Sequence, residues 1–333
     1  MVSYIVRRLI MLIPVLLGVS LAVFLVSTLQ ADATLVRLGQ HATQAQAAAL
    51  REQLGLNDPI LVQFGHFVWN LLHGDLGRSW LTSAPVSVEV GVRYPHTVEL
   101  TVVAMVLAVL IGVVAGIISA VRQYSALDYS TMVLALVGVS MPIFWLGLMM
   151  ISVFAVWLKV LPVSGRLSVS MDVHFSSQFY IMEALFTGKW GALVDLLRHI
   201  TMPAVALAVN SMALIARMTR SSMLEVVRQD YIRTARAKGL RERVVIYKHA
   251  LKNALIPVVT VIGLQVGILL GGAVLTETVF SWPGIGSMAV AAIQNSDYPL
   301  VQGCVLLVAT AFVLINLLVD VVYAWIDPRI HYA

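Results

Sequence analysis

Charge is scarce in this chain: only 12% of its 333 residues are Asp, Glu, Lys or Arg. A soluble domain carries about 25%, so too little charged surface is available to hold a chain of this length in water. Cys304 is the single cysteine, which excludes an internal disulfide and any dependence on an oxidising compartment. Set in an apolar run, it reads as a small buried hydrophobe. Long internal repeats and low-complexity segments are absent. So are the signatures of catalysis: Gly188-Lys189 lacks the upstream glycine of a phosphate loop, and the histidines show no metal-ligand spacing. Glu183 and Asp195 stand without a nucleophile or acid–base partner and read as solvated loop carboxylates.

What is present is apolar: 59% hydrophobic residues and a mean hydropathy of +0.89. Lipid is the solvent this composition fits. Behind Arg7 and Arg8, an apolar stretch runs from Leu9 to Leu29 with Ala31 and Ala33 beyond it, as before a signal cleavage site. A signal core is only about 7–15 residues, and this stretch is long enough to span the bilayer, so it reads as a retained first helix. Five more apolar segments follow, Val98 to Val121, Tyr129 to Trp157, Met202 to Met218, Leu255 to Thr276 and Val301 to Ile326. Backbone amides in lipid need partners within their own segment, so each is helical. The expectation is an all-α integral membrane protein with about six transmembrane helices. It divides into a first helix (1–29), an extracytoplasmic cap (30–97), a five-helix core (98–326) and a tail (327–333).

The charges orient it. Between Arg217 and Lys252, ten Lys and Arg stand against only Glu225, Asp230 and Glu242. This loop (217–254) is therefore cytoplasmic, and both termini fall on its side. The outer loop Lys159 to His199 reads as mostly irregular, with short helices, and Ser281 to Pro299 as rich in Gly, Pro and aromatic residues. Helix centres are nearly free of ionisable groups, which disfavours a proton-coupled carrier. Glu99 and Glu277 lie near outer helix ends. Asp320, near the inner end of the sixth helix, reads as an ion-pair or anchoring residue.

Gly263, Gly267 and Gly271 recur every fourth residue, as do Gly112 and Gly116, so two helices have faces built for close approach. Packing within one subunit is favoured over a seam between subunits. Pro142 removes a backbone bond and kinks the third helix. Asn210 and Gln265 are polar groups at helix centres, either lining a path or satisfied between helices.

Within the basic loop, Asp230 to Lys238 reads as a short helix whose acidic start and basic end suit its dipole. Gly239 stops it, and a second helix from Arg241 to Ala254 leads to Pro257. A solvated basic loop, a lipid-headgroup patch and a protein-docking handle are all open readings.

This stretch resembles the coupling motif of ATP-binding-cassette importer permeases, in the peptide-type variant. Arg233, Thr234 and Ala235 occupy the places of Glu-Ala-Ala in the general motif, and the distance from Gly239 to Pro257 is longer than in it. Further stretches resemble the B-type permeases of the dipeptide, oligopeptide and nickel importer family, dipeptide permeases most of all. These are Tyr4-Ile5-Val6-Arg7-Arg8-Leu9, Gly74-Asp75-Leu76-Gly77-Arg78-Ser79, Ser140-Met141-Pro142-Ile143-Phe144-Trp145 and Leu161-Pro162-Val163-Ser164-Gly165-Arg166. Thr276-Glu277-Thr278-Val279-Phe280-Ser281-Trp282-Pro283-Gly284 and Asp327-Pro328-Arg329-Ile330 complete the series.

The resemblance implies a type I importer permease in a bacterial inner membrane, without chemistry or cofactor of its own. Its partners would be a homologous C-type permease, two ATPases using ATP and Mg, and an extracytoplasmic binding protein. No nucleic acid is involved. Tyr231, Arg233, Thr234, Ala235, Arg236, Ala237, Lys238 and Gly239 would dock on an ATPase. Trp282, Pro283, Gly284, Asp297 and Tyr298 would form an outer gate or meet the binding protein. The cargo would be a dipeptide or short peptide, with nickel, glutathione or haem as alternatives. The rival class is an ion-driven carrier that transports unaided.

Overall fold

The computed structural model describes residues 2–30, 44–53 and 57–326. The side chains of Arg7, Arg8 and Asp320, much of the expected cap and the tail 327–333 lie outside what is described. Among the described residues every regular element is a helix. α1 (Val2–Gln30), α2 (Gln44–Gln53) and α3 (Ile60–Leu72) come first. α4 (Val86–Val121) is long, and it begins at Val86 rather than at the expected Val98 because Pro85 starts it and Pro95 is carried inside it.

The third span is broken rather than kinked. α5 (Ala126–Ser140) ends before Pro142, and α6 (Ile143–Met150) resumes at 105° to it, continuing as a π-helical turn, Ile151–Trp157. The residue before a proline is pushed to extended backbone, and Met141 has φ −83° and ψ 128°. The helix therefore stops, and Pro142 opens the next one.

α7 (Tyr180–Thr187) and α8 (Trp190–Val227) follow. Residues 159–179 are irregular and α7 is a short helix, as expected of 159–199, whereas α8 begins at Trp190, well ahead of the expected Met202. At about 1.5 Å per residue α8 is about 57 Å long, nearly twice a hydrocarbon core. Its ends run beyond the apolar stretch Met202 to Met218, and polar residues there, such as the buried His199, Thr219 and Ser222, do not mark a helix end. α9 (Asp230–Ala237) leads to α10, which opens at Glu242–Val244, widens to a π turn at Val245–Ala250 and runs on as Leu251–Gly272. α11 (Val274–Val279), α12 (Ile285–Gln294) and α13 (Tyr298–Ile326) complete the chain. Four helices (α4, α8, α10 and α13) are long and apolar enough to cross a membrane, and the bent α5–α6 pair makes a fifth span. α1 contributes a shorter apolar segment, Ile10–Val26.

α4 and α8 form the centre. Leu100, Ala104 and Ala108 meet Ile200, Ala204, Leu207 and Ile215, and Val258 and Leu269 of α10 close the cluster. The small stripe continues through Gly112 and Gly116, where the backbones come closest. A Cβ on Gly116 would lie 2.5 Å from the Thr219 Cβ and 2.6 Å from the Ala216 carbonyl oxygen. Gly116→Leu is expected to destabilise the bundle by about 1–3 kcal/mol, read as less monodisperse protein after detergent extraction. An unchanged yield and melting point would mean that the two helices have room to separate. Gly263 and Gly267 face Val319 and Phe312 of α13, so this stripe packs within the subunit.

Candidate functional site: a basic handle and a buried polar cluster

α9 lies at one end of the bundle, hereafter the handle end. Asp230 in its first turn and Arg236 in its last suit the helix dipole. Ile232 and Ala235, three apart and on one face, are buried against Met223, Val245, Ile246 and Ala250. The wide π turn of α10 thus forms the seat of the handle. Two polar ties add to it: the Asn253 amide donates to the Tyr231 hydroxyl at 2.8 Å, and Arg236 forks onto Glu242 at 2.7 and 3.2 Å. The Arg236 fork raises the guanidinium pKa further above its already high range.

Gly239 ends the helix with φ +76°, its N–H donating to the Arg236 carbonyl at 2.9 Å. Tyr231, Arg233, Thr234, Arg236, Ala237, Lys238 and Gly239 are exposed. Of the expected docking set, Ala235 points inward and packs. The fully exposed Arg233–Asp230 contact of 3.7 Å contributes little.

Next to the handle, α8 is pinned to the α4–α5 turn. Asp128 is buried and accepts from Arg220 Nε and Nη2, both at 2.7 Å, from the Tyr124 amide at 3.0 Å, and from the Ser119 hydroxyl. Sequence reading missed this lock, although Ser125-Ala126-Leu127-Asp128 has the spacing of a helix-capping box. Ser125 does cap α5, accepting from the Asp128 amide.

The far end holds a second polar assembly. Arg166, 5% exposed, ion-pairs with Glu99 and donates to the Gln178 carbonyl at 2.8 Å, and Glu99 also accepts from the Ile181 amide. The guanidinium lies 3.8 Å from the centre of the Tyr180 ring. Burial disfavours its charged form and Glu99 opposes that effect. Thr97 donates to Glu277 at 2.6 Å and accepts from the Ile285 amide, while Glu277 also takes the Ser287 amide.

The expected gate residues sit around this assembly. Trp282 is fully buried and its indole N–H donates to the His96 carbonyl at 3.0 Å. The Pro283 carbonyl oxygen is 2.7 Å from His96 Nδ1, and Gly284 lies against the Glu277 carboxylate. Asp297, 1% exposed, accepts from the Ser79 hydroxyl and the Trp80 and Leu81 amides. Tyr298 is half-buried and meets the Trp80 ring edge-on. In this conformation Trp282, Gly284 and Asp297 are internal ties, and Pro283 and Tyr298 retain partial exposure.

Two carboxylates are corrected from solvated to bound. Glu183 accepts from the Ser176 and Ser177 amides, which pull its pKa down to about 2. Asp195 takes the Ser168 amide and hydroxyl at 2.7 and 2.8 Å. At the bundle centre Gln265 is buried and accepts from the Ser211 hydroxyl at 2.8 Å, an interhelical hydrogen bond, while Asn210, next to Ser211 in sequence, is half-buried.

Comparisons with known proteins bear on the whole chain. The family model described as "Binding-protein-dependent transport system inner membrane component" matches residues 112–332, and the model for the N-terminal region of such components matches 1–101. The chain is 50% identical to the dipeptide transport system permease protein DppB of Alkalihalophilus pseudofirmus, over the full length of both. It is 45% identical to DppB of Escherichia coli (strain K12), covering 100% of this chain and 99% of the relative. Identity to the glutathione transport system permease protein GsiC of Pectobacterium atrosepticum is 42%, again over both full lengths. A solved chain of the MetNI methionine ABC transporter in inward-facing conformations shares the fold. Its TM-score is 0.50 at 19% identity, covering 71% of this chain and 94% of that one.

Proposed function

Since this chain belongs to the binding-protein-dependent transport system inner membrane components, we propose that it is a permease subunit of an ATP-driven importer of dipeptides or other short peptides. The observation that carries the reading is full-length identity to dipeptide permeases together with an exposed, rigidly seated basic helix at one end of the bundle. The handle end faces the cytoplasm, consistent with its excess of cations. There α9 enters a groove on an ATPase subunit, with Arg233 and Lys238 meeting acidic groups. A homologous C-type permease completes the path, and an extracytoplasmic binding protein delivers cargo to the far end, where the segments around Pro283 and Tyr298 lie. Hydrolysis belongs to the ATPases and this chain performs no chemistry.

The mechanism is a rigid-body switch. α9 is sealed to the π turn of α10 and follows α8 directly, so a force on α9 is delivered to two spans at once. The Asp128–Arg220 lock carries the motion of α8 to α5. The central stripe of small residues allows α4 and α8 to move as one body.

The test is co-purification with the cognate ATPases, with and without residues 231–238 scrambled, followed by dipeptide and glutathione uptake in proteoliposomes. Association abolished by scrambling, and uptake requiring the ATPases and binding protein, are the expected results. Uptake by the chain alone, driven by an ion gradient, would replace this reading with a secondary carrier. Glutathione taken up in preference to dipeptides would move the cargo assignment.

A further inference from the structure

The cations of the basic stretch do not all face one way. Arg233, Arg236 and Lys238 belong to the handle, but Arg217 and Arg220 on α8, and Arg228 just past its end, face α5. There they line a groove of about 660 Å³ with Ser221, Leu224, Glu225 and Gln229, and Met132 of α5 forms the opposite wall. Arg220 is held by Asp128. Arg217 and Arg228 are exposed, and among the described residues neither has a carboxylate within salt-bridge distance. Two guanidinium groups outside any ion pair therefore line the groove, and among the described residues Glu225 is the one acidic residue lining it with them.

Depth and surroundings indicate what fills it. Arg217 stands at the end of the apolar stretch of α8, and Ser221 is about 6 Å further along the axis. That distance matches the headgroup layer of one leaflet. Arg228 lies about 16 Å beyond Arg217, at the aqueous end. The wall formed by Met132 continues into an apolar face of α5 on which Tyr129, Val133 and Leu136 are all more than half exposed. A ligand here meets guanidinium forks and a hydroxyl below, and a surface suited to hydrocarbon above.

We propose that the α5–α8 groove binds the phosphate headgroup of an anionic phospholipid from the cytoplasmic leaflet. Arg217 donates to the phosphate oxygens and Ser221 adds a hydroxyl donor, Arg228 attracts the anionic headgroup from the aqueous end, and the acyl chains lie along Met132 and the apolar face of α5. Planar guanidinium forks match phosphate geometry, and basic recesses between membrane helices on this side recruit such headgroups. The bound headgroup sits one helical turn from the Arg220–Asp128 lock and braces α8 just before the handle. The proposal stands independently of the transported cargo, because its readout is lipid binding and not transport.

The test is native mass spectrometry of the full-length chain in mild detergent, titrated with phosphatidylglycerol or phosphatidylcholine. Arg217→Gln and Arg228→Gln are each expected to weaken phosphatidylglycerol binding about fivefold, and together about thirtyfold, with phosphatidylcholine unaffected. Inorganic phosphate should not compete at equal concentration. Should the glutamine double variant fold poorly, Arg217→Lys with Arg228→Lys keeps the charges and is expected to retain most of the preference. Equal affinity of wild type and variants for phosphatidylglycerol would overturn the proposal. Competition by inorganic phosphate would reassign the groove to a free anion. Loss of ATPase co-purification with unchanged lipid binding would reassign it to a protein.

Discussion

Gly239→Val is expected to lower ATP-driven uptake about tenfold while leaving the chain in the membrane and the ATPases active. Gly239 has φ +76°, and its Cβ position is open, with nothing within 4 Å. The penalty is therefore conformational and not steric. A side chain in the left-handed region costs about 1–2 kcal/mol, the larger part of this range applying to a β-branched residue. That is close to the 1.4 kcal/mol that changes a population tenfold. The cost falls on the turn that sets the handle against α10, so the docked geometry becomes rare while the spans are untouched. Uptake and ATP hydrolysis measured in the same proteoliposomes separate coupling from assembly. Gly239→Asn, which tolerates this backbone region, should restore most of the uptake. Wild-type uptake in the valine variant would remove Gly239 from the coupling mechanism.

Arg166→Met is expected to destabilise the protein by about 3–5 kcal/mol, since it leaves the Glu99 carboxylate buried without its counter-ion. Both side chains are 5% exposed. The loss also frees the Gln178 carbonyl and removes the cation stacked on Tyr180. Adding Glu99→Gln removes the stranded charge, and the double variant should recover a substantial part of the loss. Thermal unfolding of the purified variants reads this directly. A double variant no more stable than Arg166→Met alone would mean that the two residues contribute separately. Because this tie joins α4 to the loop before α7, the single variant should also expose 167–179 to proteolysis first.

Much of the architecture is legible locally. Apolar segments in lipid must be helical, so the spans follow from hydropathy without tertiary information. The handle is legible too, since its dipole-matched charges and Gly239 are local signals, and α9 ends at Ala237, one residue from the expected Lys238. Pro142 marks a disruption in the third span, but its local chemistry does not set the angle. Whether the helix bends or stops depends on what receives the second half, and here the halves diverge by 105°.

The tertiary structure decides what distance in sequence conceals. Glu99 and Arg166 are 67 residues apart, and Asp128 and Arg220 are 92 apart. No local pattern pairs them, because pairing is selected by the burial that packing creates. The same holds for faces. Ala235 belongs to the handle by position, yet the π turn of α10 makes it a packing residue. Trp282 and Asp297, aromatic and acidic in a loop, read as outward contacts until neighbouring helices enclose them and supply their hydrogen bonds. Period, hydropathy and capping act over a few residues, and they are enough to specify a helical membrane protein with a basic, glycine-stopped handle. Which charges are buried in pairs, and which of the arginines line the α5–α8 groove, follow from which helices meet and so need the tertiary structure.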